Sequence, residues 1–378
     1  MKNLILISLD TVRSDVAYSQ KFPTINSLRS DGVTFINTYS SSPLTPCSHA
    51  TVLSGLQPYN HGLRHLFKEK MNKEVKTMAQ IFKQNGYSTG AVVSCPGMNS
   101  WYGFGRGFDF FDDTIPKLAD GSDPLLTIDV KLRGTALKRA PLVVDIASKW
   151  IDEHKEDKFL FFLHFFDAHW PYNAPEDFCG DNPYEKEVGY TDHYLGLFLE
   201  KLKQMGLYED TSIVCFSDHG EDLEGLYNND KGGKKLGHPE ESGHGCLLYN
   251  QTQKVIFTIK HSSFPSNFDI ENQVRLVDVA PTVFELFDIK TNGMNFDGIS
   301  LAPLVIKNKQ MNLPAYCETF YPQEQNETNN NKFSHAKNKK AVVIENKYKI
   351  IIEMDSDKLE TYDLDSDPDE KRNLIKNV

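Results

Sequence analysis

The chain has 378 residues, is 39% hydrophobic and 25% charged, and carries 41 basic against 52 acidic residues for a net charge of −11. These proportions suit one large folded domain with a smaller companion and exclude a disordered, collagen-like or coiled-coil chain. So acidic a balance argues against nucleic-acid or anionic-membrane partners.

In chain order, the first apolar run is Leu4–Leu9, which leads straight into Asp10. It is shorter than the roughly 7–15 apolar residues of a signal-peptide core, and no stretch approaches the ~20 of a membrane span. A soluble, cytoplasmic protein is the expectation. Thr89–Ser94, Phe159–Phe166, Ser212–Ser217 and Lys254–Lys260 read as further buried strands. Glu74–Gly86, Leu142–His154, Asp192–Gly206 and Val274–Phe287 carry helical periodicity, two of them with a glycine stop. Strands alternating with helices predict an α/β fold, a mostly parallel sheet with helices on both faces. Residues 323–340 are polar and Asn/Lys-rich and read as a mobile loop. It would separate a large α/β domain over 1–322 from a small antiparallel subdomain over 341–378, with strands at Ala341–Glu345, Tyr348–Glu353 and Leu359–Leu364. Six cysteines without a C-x-x-C pair fit free thiols in a reducing compartment.

Ligands of an open α/β sheet bind beyond the carboxyl ends of its strands. There the first strand delivers Asp10, the Phe159 strand Asp167 and His169, and the Ser212 strand Asp218, His219 and Glu221. One Asp after a strand is more often a cap or turn residue. Three strand ends bringing Asp or His to one edge point to a metal site instead. Carboxylates mixed with imidazole suit Mn, Zn or Fe, whereas an all-oxygen set would suit Ca or Mg. The segment SSSPLTPCSHATVLSG becomes helical at His49. A hydroxyl there can be a metal-activated nucleophile, and an ordinary N-cap cluster is an equal alternative. Glu221 either backs the metal ligands or is an early-helix acid. His61 and His65 are either substrate contacts or loop surface. Arg13 pairs with Asp15, Cys47 is a buried small residue, and His164, inside an apolar strand, reads as a core histidine with its own partner. The acids of Asp355–Glu370 read as a solvated face.

The pieces LILISLDTVRSD, TPCSHATVLSGLQPYNHG, TMAQIFKQNGYSTGAVVS, FFLHFFDAHWPY, YEDTSIVCFSDHGE, GHGCLLYNQTQKVIF, VRLVDVAPTVFELF, FDGISLAPL and LETYDLDSDPDEKRNL follow one another in order. Through them nearly the whole chain resembles the sulfatases and sulfatase-like hydrolases of the alkaline phosphatase superfamily. The resemblance implies an alkaline-phosphatase-like sandwich. It places the nucleophile ten residues before Gly55, at Thr45. It implies that Asp10, Thr45, Asp218 and His219 ligate one divalent metal, Mn or Zn ahead of Ca, and that His169 and His244 face the substrate as proton donors or anion contacts. A second metal on Asp167, His169 and His244 stays open.

The departures from the family pattern matter for the activity. True sulfatases have a Cys or Ser that is oxidised to formylglycine within C/S-x-P-x-R, whereas this chain has Thr45-Pro46-Cys47-Ser48-His49. Thr cannot become formylglycine, and Cys47 is two places out of register. Asp10 is followed by Thr11 where calcium sulfatases often have a second Asp, and Asp218-His219 stands in place of Asp-Asn. Ser94-Cys95-Pro96-Gly97 stands where the family has Lys-Trp-His. These changes resemble the phosphoesterase branches. The expectation is a metal-dependent hydrolase of phosphate or phosphonate mono- and diesters acting through Thr45. A sulfuric ester hydrolase and a phosphotransferase of the same superfamily are the alternatives, and a binding protein with a dead site is the rival from another class. The partner is a small anionic ester, and assembly into a homo-oligomer stays open.

Overall fold

The computed structural model describes residues 1–378 apart from 119, 124–137, 224–235, 240, 242, 292, 312, 329–336, 357 and 376–378. Strand β1 (Asn3–Leu9) is apolar on both faces and accordingly lies in the middle of the sheet. Leu4 and Leu6 enter one core, while Ile5, Ile7 and Leu9 enter the other. The same alternation holds in β5 (Phe159–Phe165) and β6 (Thr211–Phe216), which flank β1 in parallel. The sheet continues outward from β5 through β3 (Ser88–Val92) to β4 (Phe110–Asp112), again in parallel. On the other side β6 meets β8 (Phe257–Lys260), then β2 (Val33–Tyr39) and β7 (Lys254–Val255), all antiparallel. Strand β9 (Phe268–Arg275) pairs with β2 in parallel.

Helices cover both faces. Helices Pro23–Asp31, Ala140–Glu153 and Pro183–Gln204 pack on the side of Ile5 and Ile7. Helices Thr45–Ser54, Met78–Gln84 and Val279–Leu286 pack on the side of Leu4 and Leu6. A separate antiparallel sheet runs β10 (Ala315–Thr319), β11 (Lys339–Ile344), β12 (Tyr348–Glu353) and β13 (Leu359–Asp363). Its apolar face joins Tyr39 and the segment Cys246–Tyr249. No helix among the described residues is long and apolar enough to cross a membrane.

The α/β class and the mainly parallel sheet agree with the sequence reading, and several boundaries do not. Strands β2, β4, β9 and β10 were not visible as apolar runs, because polar residues interrupt them. The run Lys254–Lys260 is two strands, since β7 pairs with β2 alone while β8 bridges β6 and β2. The helix expected from Asp192 begins at Pro183, where Asn182 caps the amide of Glu185. In the segment expected to be one helix from Val274, β9 ends first, a short turn follows, and the helix starts at Val279. The stretch 323–340, expected to be a loop, begins inside helix Tyr321–Thr328 and ends inside β11, while 329–336 lie outside the described residues. Tertiary contact fixes that helix: the buried Glu324 carboxylate accepts from the amides of Leu66 and Phe67.

Candidate active site

The carboxyl ends of β1, β5 and β6 form one edge, because the three strands are adjacent and parallel. Asp10 follows the end of β1, and Asp218 and His219 lie just past the end of β6. The helix that starts at Thr45, four residues earlier than its sequence suggested, brings the Thr45 hydroxyl to the same place. Oγ1 of Thr45 is 3.3 Å from Nε2 of His219. Ligand atoms of Asp10, Asp218 and His219 lie within 4.8 Å of one another, and all three residues are buried. The three strand-end residues and the Thr45 hydroxyl thus come together.

The hydrogen bonds leave one oxygen of each aspartate free. Oδ1 of Asp218 accepts from the amides of Thr11 (3.1 Å) and His219 (2.9 Å), while its Oδ2 has no hydrogen-bond partner. Oδ2 of Asp10 meets His164, and its Oδ1 has none. Thr11 is held at a φ of 59°, a strained conformation for a β-branched residue, and this turn aims its amide at Asp218. His219 donates from Nδ1 to the Gly220 carbonyl (2.8 Å), which leaves Nε2 with a lone pair. Two partnerless carboxylate oxygens and an imidazole nitrogen that meets only the Thr45 hydroxyl as a hydrogen-bond partner, all buried, fit a divalent cation.

The electrostatics agree. Burial raises Asp10 well above the usual carboxylate range, and the nearby Asp218 adds to this. Burial works to raise Asp218 too, but the imidazoles around it, His219 first, lower it. Two buried carboxylates this close ionise together only if a positive charge offsets them. His49, at the family's Arg position, is fully buried. Its Nδ1 donates to the Thr45 carbonyl (2.7 Å), so its Nε2 accepts from the Ser8 hydroxyl (2.7 Å). Burial pushes it down to about 3, which makes it neutral and unable to replace a guanidinium.

His169 and His244 stand beside these groups. Their rings meet edge to face at 5.0 Å, and the His244 ring is 4.2 Å from that of His219. His169 donates from Nδ1 to the Trp170 carbonyl (2.7 Å) and stacks on Phe166. Nδ1 of His244 is 2.9 Å from Oε1 of the buried Glu221. Burial raises Glu221 to about 7 and lowers both histidines to about 4. Glu221 therefore backs His244.

Asp167 does not join this cluster. It sits at the start of helix Ala140–Glu153, bound to the Arg139 guanidinium (3.0 Å) and the Ala140 amide (3.1 Å), so the grouping of Asp167 with His169 and His244 is not assembled. His61 is neither surface nor an open contact: it is fully buried, between the Thr51 hydroxyl and the Leu63 amide. His65 pairs with Glu69. Cys47 is buried in the core and Arg13 pairs with Asp15, as the sequence suggested. The sequence reading missed one contributor, His164. Its partner is Asp10 itself, at 3.0 Å. Cys95 lies beside both, with ligand atoms of Asp10, Cys95 and His164 also within 4.8 Å of one another. The available signal was a polar ring in an otherwise apolar strand whose neighbour ends in Asp10.

Known proteins share this framework. The sulfatase family model matches residues 2–289, and the model of the N-sulphoglucosamine sulphohydrolase C-terminal region matches residues 245–378. Arylsulfatase K of Xenopus laevis is 22% identical over 419 residues, covering 94% of this chain and 75% of its own. The ulvan-active sulfatase of Formosa agariphila is 26% identical over 319 residues, covering 71% of this chain and 57% of its own. Among solved structures, BT4656 in complex with its substrate D-glucosamine-2-N,6-O-disulfate superposes with a TM-score of 0.74 at 15% identity, covering 99% of this chain and 93% of that one. The phosphonate monoester hydrolase of Agrobacterium radiobacter has a TM-score of 0.74 at 16% identity, covering 99% and 91%. With the first model spanning the greater part of the sequence, the chain belongs to the sulfatase family and is an ester hydrolase.

Proposed function

We propose that the protein hydrolyses a small tetrahedral anionic ester at a divalent cation held by Asp10, Asp218, His219 and Thr45, with Thr45 as the nucleophile. The observation that carries this reading is the meeting of two partnerless carboxylate oxygens with an imidazole nitrogen whose hydrogen-bond partner is the Thr45 hydroxyl. Carboxylates mixed with imidazole favour Mn or Zn over Ca. When bound, the cation would lower the pKa of the hydroxyl and neutralise charge on the ester. Thr45 attacks the central atom and displaces the alcohol, and water then releases the anion from Thr45. His244 suits the proton donor: Glu221, raised to about 7 by burial, can hold its own proton against Nδ1, which leaves the ring proton on Nε2 for the leaving oxygen and lets Glu221 replace it from behind. Nδ1 of His169 is committed to Trp170, so His169 serves as a contact to the substrate.

Family and relatives support sulfuric esters ahead of phosphorus esters, the reverse of the order the sequence suggested. Phosphate or phosphonate esters remain the second reading, favoured by Thr45 in place of a residue convertible to formylglycine and by the Asp218-His219 pair. The free cysteines support a reducing, cytoplasmic setting. The test is a panel of matched nitrophenyl sulfate, phosphate monoester, phosphodiester and phosphonate, each with Mn, Zn, Ca and Mg. The reading expects metal-dependent turnover that is fastest on the sulfate. Fastest turnover on a phosphorus ester selects the second reading, and turnover unaffected by chelation overturns both.

A further inference from the structure

The fold treats the two oxygens of Asp10 differently. Oδ2 lies 3.0 Å from Nε2 of His164, whereas Oδ1 is buried without a hydrogen-bond partner. The direction of the His164 bond follows from the far side of its ring. Nδ1 is 3.2 Å from the backbone nitrogen of Ser94, and a backbone N–H can only donate. Nδ1 therefore holds the lone pair, and the single proton of the neutral ring sits on Nε2 and points at Asp10. The Ser94 hydroxyl also donates to the His164 carbonyl, so one residue leaving β3 holds both the backbone and the ring. His49 packs edge-on against the ring, with centroids 5.0 Å apart.

We propose that His164 is a positioning residue for Asp10: it occupies Oδ2 and turns Oδ1 toward the cation. Asp10 would then offer the cation one oxygen, as Asp218 would by a different device, its Oδ1 being taken by two amides. This inference rests on the metal reading above. Nothing in the sequence motif around Asp10 contains His164, which lies 154 residues away.

The group Asp10, Cys95 and His164 invites another interpretation, a second cation sharing Asp10. The fixed tautomer opposes it. Ligation through Nε2 would move the ring proton to Nδ1, donor against donor with the Ser94 amide. Ligation through Nδ1 would displace that amide and leave a buried N–H unpaired.

The test is calorimetric titration of the metal-stripped full chain with Mn²⁺ and with Zn²⁺, for the wild type, His164→Gln and His164→Leu. Glutamine places an amide N–H near the position of Nε2, and leucine offers no donor. Wild type and His164→Gln should bind alike, and His164→Leu should bind about 10–100-fold more weakly, the usual loss when a residue that orients a ligand is removed. If the leucine variant does not fold, His164→Asn replaces it: its carbonyl can meet the Ser94 amide, but its N–H stops short of Oδ2, so the same weakening is expected. The cobalt-loaded wild type should show no thiolate-to-metal charge-transfer band. Undiminished affinity in the variant lacking the donor, or a second equivalent of cobalt with a Cys95-dependent thiolate band, overturns the inference. A wild type that binds no cation overturns the metal reading instead.

Discussion

Asp218 illustrates how one side chain couples fold and chemistry. Its Oδ1 holds the turn at Thr11 and its Oδ2 has no hydrogen-bond partner, so Asp218→Asn should separate the structural role from the proposed ligand role. Asparagine keeps an acceptor for the Thr11 amide but removes the charge. The variant should fold, lose most bound metal by elemental analysis, and lose turnover by at least about a hundredfold, the upper end for disturbing a metal centre. Full metal content with a normal rate would show that Asp218 is not a ligand. Asp10, Asp218 and His219 were legible in the sequence because they stand just past the ends of apolar strands, whereas His244 came from the family resemblance alone. His164 was not legible, because its role comes from strand pairing: its register partner on β1 is Ser8, two residues before Asp10. Asp167 was misplaced for the opposite reason. It too follows a strand, but Arg139, far away in the chain, captures it.

At the scale of elements, the small C-terminal sheet supports His244. Cys246–Tyr249, just after His244, packs into the core of that sheet, and the Thr319 hydroxyl at the end of β10 donates to the Gly245 carbonyl. Gly245 has a φ of 114°, and a Cβ there would stand 2.6 Å from the Tyr321 ring. Gly245→Ala should therefore displace His244, lowering kcat at least about tenfold by misplacing the acid, with metal affinity little changed. A normal kcat would detach the C-terminal sheet from catalysis. This support was invisible in the sequence, since β10 lies on the far side of the polar stretch that hid the link. The buried helix elements also set the response to acid. His49 and His61 are pushed down to about 3 by burial, so the folded state binds fewer protons than the unfolded one below pH 6.5. Their stabilising contribution is complete above pH 6.5 and is lost as pH falls toward 3. The melting temperature of the metal-free protein should drop through that window, and His61→Gln should flatten the slope. A melting temperature constant from pH 6.5 to 4 would contradict the buried, neutral assignment.

For the whole molecule, the parallel centre was legible because strands buried on both faces read as unbroken apolar runs, as in Phe159–Phe165. The antiparallel flank was not, because edge strands such as β9 are half polar, and pairing rather than composition defines them. That arrangement puts β1, β5 and β6 side by side and the Thr45 helix at their ends, which brings a threonine hydroxyl to His219. Cys47 belongs to the core beneath. The most direct test is therefore the turnover of Thr45→Ala and Cys47→Ala on the preferred ester, with mass spectrometry of both positions in the wild type. Thr45→Ala should fall by on the order of a thousandfold or more, Thr45→Ser should recover part of that loss, and Cys47→Ala should stay active, with no formylglycine at either position. An essential Cys47 that carries formylglycine, together with a dispensable Thr45, would contradict this account.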